Sequence, residues 1–239
     1  GTPVADHLSE EEQIEAVKRW WAANGMQTIL AAVLVVGGYF GWQYWEQEQQ
    51  LQTDQASNAY LEMIEVVSEN APGELLSVDQ QTQVNAVADQ LKDNHSNSAY
   101  AQFAAMLKAK LAVDNNDLDT AASELQWALD NDPAPATERL VRLRLARVEA
   151  SRGNIDIALQ MVQGIDAAEM KSSYEEAKGD FYLLQGNSRA AFTAYESAIA
   201  SNESQDPMIK NILQLKISQV LPPEVVTVET AEGSEGAAE

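Results

Sequence analysis

Proton transfer, nucleophilic attack and metal binding draw on a short roster of side chains, and this sequence supplies few of them. It has no cysteine, which excludes disulfides, thiol nucleophiles, zinc–cysteine sites and iron–sulfur clusters. Its two histidines, His7 and His95, stand far apart in the chain. His95 falls in a polar loop, away from the positioned neighbours that acid–base work requires, and reads as a surface residue. Asp114, Asn116, Asp117 and Asp119 suggest a calcium loop. Such a loop needs a glycine at its sixth position and a glutamate at its twelfth, and counted from Asn115 these are Thr120 and Gln126. A solvated turn between helices is the better reading. The motifs H-E-x-x-H, G-x-x-x-x-G-K and G-x-S-x-G are all absent. No catalytic, cofactor-binding or metal-ligating residue is assigned, no cofactor is expected, and the chain does not read as an enzyme.

Binding chemistry is represented by one dense basic cluster, Arg139, Arg142, Arg144 and Arg147. Their spacing spreads them round a helix where Glu138 and Glu149 can neutralise part of the charge. They read as a solvated helix face, with a groove for an acidic ligand as the alternative. The chain as a whole is acidic: 15 Lys and Arg stand against 37 Asp and Glu in 239 residues, a net charge of −22. Nucleic-acid binding needs a basic surface, so no nucleic-acid partner is expected. Tyr60, Tyr100, Tyr174, Tyr182, Tyr195 and Trp127 read as packing residues, although an aromatic groove could use the same set.

The elements that would carry these groups begin with an apolar segment. No charged residue occurs from Trp20 to Trp45. The stretch from Met26 to Trp45 would make a helix of about 30 Å, the thickness of a bilayer's hydrocarbon core. Trp20 and Trp21 lie at one end and Tyr39, Phe40, Trp42, Tyr44 and Trp45 at the other, as the two interfacial belts of a span. Acidic residues precede it and no A-x-A cleavage pattern follows, so an uncleaved signal anchor is expected. Lys18 and Arg19 lie just before the span, and the next basic residue is Lys92. The positive-inside rule then puts the N-terminus in the cytoplasm and the remainder across the membrane, in the periplasm of a bacterium. Gly37 and Gly41 form a GxxxG pair on which another helix could pack closely.

Beyond the span the apolar residues recur with helical period, punctuated by Asn, Asp, Gly and Pro. Long helical stretches are expected over Glu46–Glu69 and Val78–Lys92. Three later stretches resemble one another. Asn116-Asp117 precedes Ala121, Leu125 and Ala128. Gly153-Asn154 precedes Ala158, and Gly186-Asn187 precedes Ala191, Tyr195 and Ala198. The repeated alanines 121, 158 and 191 lie 37 and 33 residues apart, close to the period of about 34 that marks tetratricopeptide repeats. Ala109, Ala146 and Gly179 on the first helices would allow close approach, while Leu125 and Tyr195 would fill the space between repeats. Tyr182 is the best surviving position of the repeat consensus; an unrelated helical bundle is the alternative. Met208–Gln219 reads as a capping helix, and the tail from Glu224, with five acids and no bases, as disordered.

The expected fold is therefore all-α: a single N-terminal transmembrane helix, then a tetratricopeptide-like α-solenoid of helix pairs. The expected divisions are a cytoplasmic arm over residues 1–19, the anchor over 20–45, juxtamembrane helices over 46–98, repeats over 99–220 and an acidic tail over 221–239.

Glu11–Gly25 (EEQIEAVKRWWAANG) and Gly41–Glu46 (GWQYWE), which flank the apolar segment, resemble the YfgM-type proteins. So do Leu143–Val148 (LRLARV) and Lys178–Arg189 (KGDFYLLQGNSR). The likeness covers most of the chain; the start at Gly1-Thr2-Pro3, expected of a trimmed, tagged or processed chain, and the acidic tail depart from it. It implies an ancillary subunit of the bacterial SecYEG translocon, anchored in the inner membrane with a periplasmic tetratricopeptide-like domain. It also implies a partner of the membrane-anchored, parvulin-like prolyl-isomerase type and a role in passing exported proteins from channel to chaperones. An adaptor or assembly factor for another envelope complex is the alternative, and the oligomeric state is left open.

Overall fold

The computed structural model describes residues 10–220; in the first part of the leading helix, side chains are described at Glu15, Lys18 and Met26 and from Ile29 onward. Among the described residues there are nine α-helices, one short 3-10 turn and no strand. The helices are α1 (Glu10–Ser68), α2 (Val78–Asn94), α3 (Ala99–Asp114), α4 (Leu118–Asp130) and α5 (Pro135–Ser151). They continue with α6 (Ile155–Val162), α7 (Lys171–Leu184), α8 (Ser188–Ala200) and α9 (Pro207–Gln219), and the 3-10 turn covers Ala168–Met170.

Helix starts follow from side chains that satisfy amides with no partner inside the helix. Ser77 accepts from the Gln80 amide while the Gln80 side chain accepts from the Ser77 amide, a capping box that opens α2. Ser98 opens α3 and Asp206 opens α9 in the simpler manner. Pro135 occupies the first turn of α5, where a missing N–H costs nothing.

The turns within the helix pairs share one construction. The amides of Asp117, Asn154 and Asn187 each donate back five residues, to the carbonyls of Ala112, Glu149 and Tyr182, at 2.8–2.9 Å. The residue before each donates back three residues, and that residue is left-handed: Asn116 at φ 59°, Gly153 at 89° and Gly186 at 76°. These are Schellman closures. In two of the three, the residue that completes the closure also caps the next helix with its side chain: Asp117 accepts from the Thr120 amide and Asn187 from the Ala190 amide, whereas Asn154 holds the same position and donates to Glu149 instead. At Asp117 and Asn187, one residue ends a helix and starts its partner.

The chain divides between Gln55 and Ala56 into two units. In the first, every described side chain from Ile29 to Gln55 is exposed, including Leu34, Val35, Phe40, Trp42 and Trp45. No helix among the described residues is long and apolar enough to cross a membrane. The side chains of Arg19, Trp20 and Trp21 lie outside the described residues, as do His7, residues 1–9 and the tail 221–239.

The second unit starts at Ala56 and is built as overlapping layers. Ala56, Met63 and Val66 from the end of α1 share a core with Val84, Ala88 and Leu91 of α2 and with Ala101 and Ala104 of α3. The next layer joins α3, α4 and α5 through Ala105, Ala109, Ala121, Leu125, Ala128, Val141 and Leu145. A third joins α5, α6 and α7 through Leu143, Ala146, Ala158, Val162, Tyr174 and Phe181. The last holds Ala191, Tyr195 and Val220. Trp127, Met161 and Tyr182 each touch two neighbouring layers. Helix pairs that bury their apolar faces only against neighbours form a solenoid, as the repeated alanines predict.

Beside Val220 and Ile217 at the end of α9, Tyr195 also meets the first helix of its own pair, its ring lying against Gly179. A Cβ on Gly179 would meet its Cε1 at 2.4 Å and its Cδ1 at 2.5 Å. The phenol cannot turn away freely, because its hydroxyl donates to Asp180 Oδ1 at 2.7 Å.

Candidate functional site

Helix α5 carries two buried stripes and one exposed strip. Val141, Leu145 and Val148 face the layer shared with α3 and α4, while Leu143, Ala146 and Ala150 face the layer shared with α6 and α7. Arg144 and Arg147, three residues apart and therefore neighbours on the helix, occupy the strip left over.

The arginine cluster divides. Arg139 reaches Glu169 at 3.4 Å and Arg142 pairs with Glu138 one turn earlier. These two are neutralised, as a solvated helix face requires. Arg147 stands 3.9 Å from Glu176 of α7, at the limit of an ion pair. Arg144 has no carboxylate partner among the described residues; its Nη1 lies 3.6 Å from the sulfur of Met106.

Arg144 and Arg147 overhang a groove of about 290 Å³ between α3 and α5. Met106, Ala109, Leu125 and Val148, all buried, make its floor, and the exposed Val113 and Lys110 complete its α3 side. Lys110 is paired with Asp114 at 2.6 Å. The arrangement is an apolar trough with three cations on its lip. Drug-sized ligands occupy pockets of about 300–1,000 Å³, so this space suits one or two side chains.

Two further charged clusters hold the unit together. Glu124, its side chain 8 % exposed, accepts from Lys92 at 2.6 Å and from Lys108 at 3.0 Å, and Lys108 also reaches Asp89 at 2.6 Å. Lys92 lies over the Trp127 ring at 5.0 Å. Burial works against the Lys108 charge, but hydrogen bonds to Asp89 and Glu124 outweigh it and hold the ammonium above its ordinary range. At the other end, Lys216 of α9 reaches Glu176 at 2.7 Å and Asp180 at 2.8 Å. Burial, then the Asp180 hydrogen bond, pushes the Tyr195 hydroxyl far above the ordinary tyrosine range.

The other residues singled out in the sequence fall as follows. Ala121, Ala128, Ala158, Ala191 and Ala198 are fully buried and Leu125 nearly so. Tyr182 is half-buried and accepts a hydrogen bond from Gln163 at 2.8 Å. Gly37 and Gly41 lie on an open helix surface where an added Cβ would meet nothing within 4 Å, and Lys18 is exposed. Asp117 caps α4 and Asp119 pairs with Arg152, so the acidic run is a turn; hydrogen bonding from Thr120 holds the Asp117 carboxyl below its ordinary range. His95 ends α2 through its own backbone amide. Among the described residues no cluster of His, Asp and Glu is placed to hold a metal ion.

Sequence reasoning missed the Glu124 cluster, although a signal was present. Glu124 falls between Ala121, Leu125 and Ala128 on the inward stripe of α4. A carboxylate on a core-facing stripe demands a buried cation.

A family model described as tetratricopeptide repeat-like domain matches residues 18–221. A protein of Haemophilus influenzae named ancillary SecYEG translocon subunit is 29 % identical over 217 residues, which is 91 % of this chain and 100 % of the relative. Proteins of the same name in Escherichia coli and Neisseria gonorrhoeae are 29 % and 25 % identical, covering 89 % and 91 % of this chain and 97 % and 100 % of themselves. Ladder of helix pairs, shared turn construction and end-to-end match agree: the chain belongs to the tetratricopeptide repeat-like domain family.

Proposed function

We propose that this protein is a non-catalytic ancillary subunit of the SecYEG translocon. Its helical-repeat unit would hold a membrane-anchored, parvulin-like prolyl-isomerase chaperone close to the channel exit, easing the passage of exported proteins to chaperones. The observation that carries the reading is the full-length correspondence with relatives named ancillary SecYEG translocon subunits, up to 100 % of their length. A repeat solenoid presents large surface at small expense in core, which suits a scaffold.

The anchor belongs to the same proposal. It is supported by the charge-free run from Trp20 to Trp45 and by the outward display of Ile29 to Trp45, since apolar side chains exposed all round a helix need lipid or protein to cover them. Lys18 and Arg19 would keep the N-terminus in the cytoplasm and put the repeats in the periplasm of the inner membrane. The packing face would centre on Gly37 and Gly41.

The test is photo-crosslinking in the native membrane from positions 37 and 41 and from exposed repeat positions, with channel subunits scored after mild-detergent purification. Adducts with the channel and with a prolyl-isomerase chaperone are expected. Reproducible adducts with an unrelated envelope complex, and none with the channel, would remove the export role.

A further inference from the structure

The groove between α3 and α5 has a chemistry opposite to the rest of the chain. In a protein of net charge −22, Lys110, Arg144 and Arg147 stand together on the lip of an apolar trough. Arg144 has no carboxylate partner among the described residues, and Arg147 has one only at 3.9 Å. Elsewhere on α5 the arginines are matched to glutamates. Arg144 differs from other unmatched cations in standing with Arg147 and Lys110 over a buried apolar floor, where a carboxylate partner gains from several charges at once.

The overall negative charge does not oppose this. At physiological ionic strength, exposed charges more than about 8 Å apart are largely screened from one another. A carboxylate in the groove interacts with the cations on its lip while the distant acids fade. The floor of Met106, Ala109 and Leu125 supplies the apolar half of the recognition.

We propose that this groove docks an acidic peptide segment of a partner protein, which inserts an apolar side chain onto the floor while its carboxylates engage Arg144 and Arg147. The inference rests on the scaffold reading and supplies the chemistry of its partner. Charge complementarity at the lip sets which segments are accepted and how fast they arrive, and the trough holds them.

The test uses the purified full chain and a fluorescein-labelled peptide alternating Glu and Leu, followed by anisotropy. Binding that weakens as salt rises is expected. Arg144→Glu should lower the affinity about tenfold or more, because attraction at the lip becomes repulsion. Arg189→Glu changes the net charge equally on another exposed surface and should leave the affinity unchanged. Circular dichroism checks that the Arg144→Glu chain is folded; if it is not, Lys110→Glu takes its place with the same loss expected.

Absence of binding by the Glu–Leu peptide overturns the proposal, as does equal binding by a Glu–Ser peptide, which would leave the floor unused. An equal loss in Arg189→Glu reduces the effect to general charge and also overturns it. If deleting residues 221–239 raises the affinity about tenfold, the groove is occupied by this chain's own acidic tail and the partner is wrong. Channel co-purification is scored on the same preparations. Channel retained without peptide binding overturns the groove alone; peptide bound without channel removes the translocon reading and supports the groove.

Discussion

Replacing Gly179 by alanine tests whether contact between α7 and α8 is set by the Tyr195 ring. The new Cβ would lie 2.4 Å from Cε1, 2.5 Å from Cδ1 and 2.9 Å from Cζ. Such distances force a shift, and the ring is 1 % exposed and tied through its hydroxyl to Asp180. Overpacking a core typically costs about 1–3 kcal/mol. If the ring swings aside, the charged hydrogen bond goes, at about 1.5–3 kcal/mol. Alanine recovers about 1 kcal/mol of helix propensity. The net expectation is a loss of about 2–3 kcal/mol, which for a unit of this size lowers Tm by about 5–10 °C. Thermal melts followed by circular dichroism read it directly. The partner variant Tyr195→Val lacks all three clashing atoms. In that background Gly179→Ala should be neutral or stabilising by up to about 1 kcal/mol, a coupling of about 3 kcal/mol between the sites. A higher Tm for the single variant, or the same shift in both backgrounds, refutes the reasoning.

Glu124→Ala strands Lys92 at a half-buried site, leaving Lys108 with Asp89 alone, and should cost about 3 kcal/mol in urea unfolding; a loss below about 1 kcal/mol would show that Lys92 finds water instead. Burial raises the hydroxyl pKa of Tyr60, Tyr174 and Tyr195. Because the folded values exceed the unfolded value of about 10, the stabilisation is complete below that pH and is lost as pH rises through the folded values. Tm should therefore fall above pH of about 10, and less steeply in Tyr195→Phe; parallel curves for the two chains would contradict this. Gly153→Ala forces a β-carbon into a φ of 89° and should lose about 1–2 kcal/mol in urea melts. Gly153→Asn should lose less, and equal stability of all three chains would deny the turn its role.

The repeats were legible because their period is written in small residues. Ala121, Ala158 and Ala191 are all fully buried, and each lies four residues after the Asp or Asn that completes a Schellman closure. Local chemistry of that kind is visible in a single sequence. The contact of Tyr195 with Gly179 was not, because a large residue on a second helix can face its own partner as well as the next element. Tyr195 does both, because the missing side chain at Gly179 leaves room for its ring beside α7 while Val220 and Ile217 cover it from α9. The salt bridge of Lys92 with Glu124 joins residues 32 positions apart, and no local rule links them. The arginine cluster was readable as charge but not as partition: which cations are neutralised depends on Glu169 and Glu176, carried in by the next repeat.

The short turns within the helix pairs also bear on the order in which the chain can fold. Each is closed by bonds reaching three and five residues back, so a helix pair needs nothing downstream to form. Contacts of such short span fold quickly, because little chain must be looped to make them. A chain delivered lengthwise, N-terminal end first, could complete the pair of α3 and α4 before α7 has emerged. Each later pair would then close onto a surface already waiting for it, with Trp127, Met161 and Tyr182 as successive points of attachment. Little unsatisfied apolar surface would stand open at any moment, and the last pair, α7 and α8, would settle only when α9 brings Lys216 to Asp180.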